Sequence, residues 1–138
     1  MWWYWLYIYG QIIMRIYLTT IGWVIISSVS IARYYYTLTL FAHKTKILAV
    51  GGQGSQKTAE AYDSTNYIWT NTRANMSTSR YSHVAVLLDN ERILIMGGQT
   101  SDGTVLASAE IYIPSSDSFL VTNSMSTSRV SVHYSTID

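Results

Sequence analysis

Apolar residues along this chain come in short runs separated by polar turns, at lengths that suit strands. Val84-Ala85-Val86-Leu87-Leu88 and Ile93-Leu94-Ile95-Met96 are joined by Asp89-Asn90-Glu91-Arg92, which predicts a β-hairpin. Neither run alternates strictly with polar residues, so both faces of these strands are expected to be covered. Gly97-Gly98 ends the second run, because glycine weakens a strand interior and permits positive φ in a tight exit. Ala109-Glu110-Ile111-Tyr112 predicts a third strand. Pro114, Ser115, Ser116 and Asp117 then form a turn before Phe119 opens a fourth.

The same pattern occurs earlier in the chain. Met76-Ser77-Thr78-Ser79-Arg80 returns letter for letter as Met125-Ser126-Thr127-Ser128-Arg129, 49 residues later. Gly51-Gly52 returns as Gly97-Gly98 after 46, and Ala59-Glu60 with Tyr62 as Ala109-Glu110 with Tyr112 after 50. Trp69 is matched by Phe119. The drift sits in the longer loop 99–107, where insertions are tolerated. Four antiparallel strands per unit of this length make a propeller blade.

A hydrophobic strand, Gly-Gly, a variable loop, Ala-Glu-x-Tyr, a turn, an aromatic and then Met-x-x-x-Arg resembles the kelch repeat over residues 44–138. The resemblance implies an all-β fold: an incomplete kelch-type β-propeller of four-stranded antiparallel blades. Gly51, Gly52, Glu60, Tyr62, Trp69, Arg80, Gly97, Gly98, Glu110, Tyr112, Phe119 and Arg129 are its repeat-structural positions.

Residues 1–28 read in two ways, residues 29–138 as two clear repeats, the last one incomplete. On the repeat template Val29 to Arg33 matches Met76 to Arg80, Ile16-Tyr17 precedes Trp23 as Ala61-Tyr62 precedes Trp69, and Tyr9-Gly10-Gln11 echoes Gly52-Gln53. The hairpin 38–50, turning at His43-Lys44-Thr45, matches 85–96. A decayed first blade is therefore expected, with Arg15 in place of the glutamate. The rival is a membrane anchor within residues 1–32, where Arg15 and Arg33 are the sole charges before residue 43. A central arginine costs ~2.5–3.5 kcal/mol there, which the surrounding Leu and Ile can offset. Against it stand the repeat register and Thr19, Thr20, Ser27, Ser28 and Ser30.

Composition narrows the function. A net charge of +1, with no cluster of Lys or Arg, gives a nucleic-acid backbone nothing to bind. The absence of cysteine removes disulfides and thiolate chemistry, including the cysteine-linked tyrosine of a copper radical site in the propeller of galactose oxidase, which is similar to kelch. His43, His83 and His133 occupy different places in their repeats, so no shared metal site is expected. Glu60 and Glu110 repeat one another in separate blades and do not form an acid–base pair. Arg80 and His83 read as blade packing. Gly51-Gly52-Gln53-Gly54 does not complete the pattern of a phosphate loop, and no Gly-x-Ser-x-Gly elbow occurs. Asn75-Met76-Ser77 spells a glycosylation sequon inside the repeated box.

No enzyme activity and no cofactor are expected. The resemblance implies a binding scaffold for a protein partner, with loops 53–58 and 99–107 as contacts: Gln53, Ser55, Lys57, Gln99, Ser101 and Asp102. Open blade faces also imply self-association. A membrane-tethered kelch protein and a non-functional fragment of a larger propeller are the alternatives.

Overall fold

A computed structural model describes residues 28–53 and 57–130, together with the backbone of three strands nearer the N-terminus. Those strands are β1 (Trp3–Ile8), β2 (Gln11–Leu18) and β3 (Gly22–Ile25), paired antiparallel in chain order. A proximal blade follows, with β4 (Thr37–Phe41), β5 (Lys46–Val50), β6 (Ala59–Asp63) and β7 (Ile68–Asn71). A distal blade holds β8 (Val84–Leu87), β9 (Ile93–Met96), β10 (Ala109–Ile113) and β11 (Ser118–Thr122). Each blade is a four-stranded antiparallel meander, and the described residues contain no helix. No helix among them is therefore long and apolar enough to cross a membrane.

One register runs through the sheets. Tyr62 lies opposite Trp69 and Tyr112 opposite Phe119, with ring centroids 5.2 and 5.1 Å apart. In the N-terminal sheet the backbone places Tyr17 opposite Trp23 and Arg15 opposite Ile25. Glu60 opposite Asn71 and Glu110 opposite Val121 are the matching pairs, so Arg15 stands at the glutamate position. The Tyr9-Gly10 echo falls outside the described residues.

The core lies between sheets. Phe41, Leu48, Val50 and Ala59 on one face of the proximal blade pack against Ile93, Ile95 and Tyr112 of the distal blade, with Met76 wedged among them. The opposite face of the proximal blade, Ile47, Ala49, Tyr62 and Trp69, is covered by Val29, which stands in its own box where Met76 stands in the next. Each Leu or Ile buried this way contributes about 1.5–3 kcal/mol. The two blades approach most closely at β4 and β8, their first strands, as sheets fanned about an axis do. The ring is not closed.

The expectation that β8 and β9 are covered on both faces is corrected here. It fits β5, where Ile47 to Val50 are all buried, because an element packs on each side. In β9 only Ile93 and Ile95 are buried; Leu94 faces outward, and Val86 beside it is 42% exposed. An apolar run reports what a face is fit to meet, and on this face of the distal blade nothing among the described residues meets it.

Candidate binding face

The repeated Met-x-x-x-Arg box is the joint between blades, and its arginines sit in built sites. Arg33 and Arg80 are each 0% exposed. Nη1 of Arg33 donates to the carbonyls of Gly51 and Thr58, both at 2.9 Å, and Nη2 to Oε1 of Glu60 at 2.9 Å. Arg80 repeats the arrangement, from Nη1 to Gly97 (2.9 Å) and Ser108 (3.0 Å), and from Nη2 to Glu110 Oε1 (3.1 Å). The acids also hold the box backbone: Glu60 accepts from the Ser30 N–H, and Glu110 from those of Ser77 (2.7 Å) and Thr78 (3.1 Å). Burial pulls the Arg80 pKa downward and the Glu110 carboxylate opposes that, so the charge persists. Both acids are therefore fully occupied in holding an arginine. Neither is placed as a general acid.

Glycine is required where the box meets the preceding blade. The Gly52 N–H donates to the Arg80 carbonyl at 3.0 Å, and the Gly98 N–H to the Arg129 carbonyl at 2.8 Å. Gly51 (φ +66°) and Gly97 (φ +67°) would each bring a Cβ to 2.6 Å from those same carbonyls. Arg80 thus gives its carbonyl to one blade and its guanidinium to the next. Among the described residues Arg129 does only the first, and it is exposed.

His83 lies in the same seam. It is 1% exposed, its Nε2 is 2.8 Å from Thr37 Oγ1 of the proximal blade, and a Cβ on Gly51 would come within 2.8 Å of its ring. Burial first, then the Arg80 charge, push its pKa down to about 3. A neutral imidazole sealed from solvent has no route to a substrate. His43, with 93% of its side chain exposed, lies in the β4–β5 turn, and His133 falls outside the described residues. Among the described residues no three His, Asp or Glu side chains cluster as metal ligands do.

The loops proposed for contact emerge at one end of the blades. Thr37, Val50 and Ala59 are cross-strand neighbours, as are Val84, Met96 and Ala109, so the β5–β6 and β9–β10 loops leave beside the segments that lead into β4 and β8. Gln53 exchanges backbone hydrogen bonds with Tyr34 (2.7 and 3.4 Å), and Gln99 with Tyr81 (both 3.0 Å). The Ser82 N–H donates to the Tyr35 carbonyl at 2.8 Å, tying these two lead-in segments together, and the Tyr35 and Tyr81 rings are 6.3 Å apart. Tyr34 is 47% and Tyr35 65% exposed. Ser101 and Asp102 form the exposed tip of the second loop, where Asp102 accepts from the Thr104 N–H and the Thr100 hydroxyl, contacts that lower its pKa, the Thr100 one most. Lys57 is exposed while its carbonyl accepts from the Met76 N–H at 2.9 Å; Ser55 lies outside the described residues.

The structure therefore brings Gln53 and Gln99 to one surface and adds three tyrosines that loop reasoning passed over. Their signal was present as an aromatic directly after the box arginine, in Arg33-Tyr34-Tyr35 and Arg80-Tyr81. Set against known families, residues 80–126 match the kelch motif, a span that begins at the buried Arg80 and covers the distal blade. No curated protein matches the chain.

Proposed function

We propose, with the kelch repeat as premise, that the chain is part of an interaction scaffold whose partner surface is the blade end bearing Tyr34, Tyr35, Tyr81, Gln53 and Gln99. A kelch motif points to protein interaction in general. What supports this particular surface is the exposure of Tyr34 and Tyr35 on backbone that is pinned to Gln53 of the first loop and to Ser82, beside the Tyr81 that holds Gln99 of the second. Rigid tyrosines with exposed rings supply contact area at low entropic cost and recur as interface anchors. The segment 3–25 belongs to the same scaffold as a reduced blade, on the register that sets Tyr17 opposite Trp23.

The test is a cross-linking capture with the full chain, comparing wild type with Tyr34→Ser/Tyr35→Ser/Tyr81→Ser and with alanines across loops 53–58 and 99–107. A protein captured through this face is lost, with affinity falling roughly 30-fold or more if one tyrosine is an anchor worth ~2 kcal/mol. Unchanged capture by folded variants of both kinds would refute the assignment.

A further inference from the structure

The tyrosine-bearing lead-in segments are tied to one another at two adjacent residues, and one of these is a buried imidazole. The Ser82 N–H donates to the Tyr35 carbonyl at 2.8 Å, and Nε2 of His83 lies 2.8 Å from Thr37 Oγ1. Tyr35 (φ +54°) and Ser82 (φ +51°) both occupy the left-handed region, a strained state for any residue but glycine. Such backbone persists only where its surroundings fix it. Here the surroundings are the seat of His83. A Cβ on Gly51 would come within 2.8 Å of the ring, and one on Gly98 within 2.9 Å of the His83 Cβ. The side chain thus fills the gap between a glycine of the proximal blade and one of the distal blade. It is 1% exposed, and its Nδ1 has no hydrogen-bond partner among the described residues.

We infer that His83 is an acid-sensitive pin: protonation of its ring unseats residues 81–83, breaks the Ser82–Tyr35 tie and disperses the tyrosines while both sheets stay folded. As a control on partner binding, this rests on the tyrosine surface proposed above. An imidazolium is a donor at both nitrogens, and the seat offers an acceptor at Nε2 alone. Burial disfavours the charged ring first, and Arg80, the charge that reaches it, has the same sign. The other groups against it, Thr37, Gly51 and Gly98, carry no charge. The Glu110 carboxylate is held by Arg80, and on the far side of Gly51 the Arg33 guanidinium is held by Glu60. The phenols of the lead-in segments, Tyr35, Tyr36 and Tyr81, are uncharged in acid. Among the described residues nothing in the seat therefore compensates a second positive charge. Once unseated, the histidine protonates near its ordinary value of 6.5. The unseated form then gains on the seated one by up to about tenfold for each pH unit below that value.

The experiment follows amide hydrogen exchange of the full chain by NMR between neutral and mildly acidic pH, with each rate referred to its intrinsic value at that pH. The Ser82 amide should be protected less than those of β5 and β10, and its protection should fall roughly tenfold per pH unit below 6.5. Low urea should speed exchange in the sheets and leave Ser82 unchanged, because a local opening exposes little surface. In His83→Gln, uncharged at every pH, the pH response of Ser82 should vanish. Should that variant fail to fold, the urea contrast within the wild-type chain decides. Two results overturn the pin: a Ser82 amide with the protection and urea response of the sheets, or an undiminished pH response in His83→Gln. No partner enters this readout, so its failure leaves the partner surface standing. Conversely, a normal pH response together with unchanged capture by the tyrosine variants would remove the partner surface and keep the pin.

Discussion

Replacing Glu110 by glutamine tests whether the box arginine is a structural clamp. The substitution keeps the shape and removes the charge. Arg80, 0% exposed, then has no carboxylate, and the new amide must turn its NH2 towards either the guanidinium or the Ser77 N–H, which are both donors. Breaking one side of a buried pair costs about 3–5 kcal/mol, out of a total that for a domain is about 5–15 kcal/mol. The assay is urea unfolding followed by far-UV circular dichroism, reading the midpoint at unchanged slope. The double variant Arg80→Met/Glu110→Leu separates a clamp from an ordinary ion pair. An apolar pair often replaces a buried ion pair without loss. Here it would orphan the Gly97 carbonyl and the Ser77 and Thr78 N–H groups, each costing about 1–3 kcal/mol where it stays buried, while the Ser108 carbonyl keeps the Gly97 N–H. The double variant should therefore remain clearly less stable than wild type. A loss under about 1 kcal/mol for Glu110→Gln, or a double variant as stable as wild type, would refute the reasoning.

Three other outcomes follow from the same geometry. His83 is neutral when folded, with its pKa pushed from 6.5 to about 3, while the unfolded chain takes up a proton near 6.5. Its contribution is full above that value and falls as pH drops towards 3, by at most about 1.4 kcal/mol per pH unit; urea midpoints between pH 7 and 4 should slope less steeply in His83→Gln. Gly97→Ala combines φ of +67° with a Cβ 2.6 Å from the Arg129 carbonyl, whereas Gly103→Ala, at φ +87°, meets nothing within 4 Å; thermal melts should place the first well below the second, which pays only the backbone strain of about 1–2 kcal/mol. On the outward face of the distal blade, exposed Val86 and Leu120 are proposed to promote self-association: light scattering should then show mass rising with concentration and a smaller rise in Val86→Lys/Leu120→Lys, and no rise, or an equal rise in the variant, would refute it.

Much of the fold could be read from the letters because the repeat writes it twice. Strand runs, the Gly-Gly exits and the Tyr-to-aromatic register depend on spacing, and spacing survives in a sequence. The pairing of Arg80 with Glu110 was not legible, since it joins residues 30 apart through a geometry that no local pattern encodes. The expectation for β8 and β9 erred for a related reason: Leu94 and Val86 record the neighbour they suit, whether or not it is among the described residues. At the candidate surface, loop length pointed to Gln53 and Gln99. The tyrosines beside them were hidden in a chain with 12 Tyr, and only the backbone exchange Tyr34–Gln53 and Tyr81–Gln99 separates them from the rest.

The split allegiance of Arg80, carbonyl to one sheet and guanidinium to the other, bears on how the molecule comes apart. Loosening the distal sheet frees the guanidinium, slackens the linker and takes the partner from Gly52, so the proximal sheet is weakened in the same event. Nearest-neighbour coupling of this kind makes a stack of small units melt together. The two sheets should behave as a single cooperative foldon, with amides in β5 and β10 exchanging through one common opening.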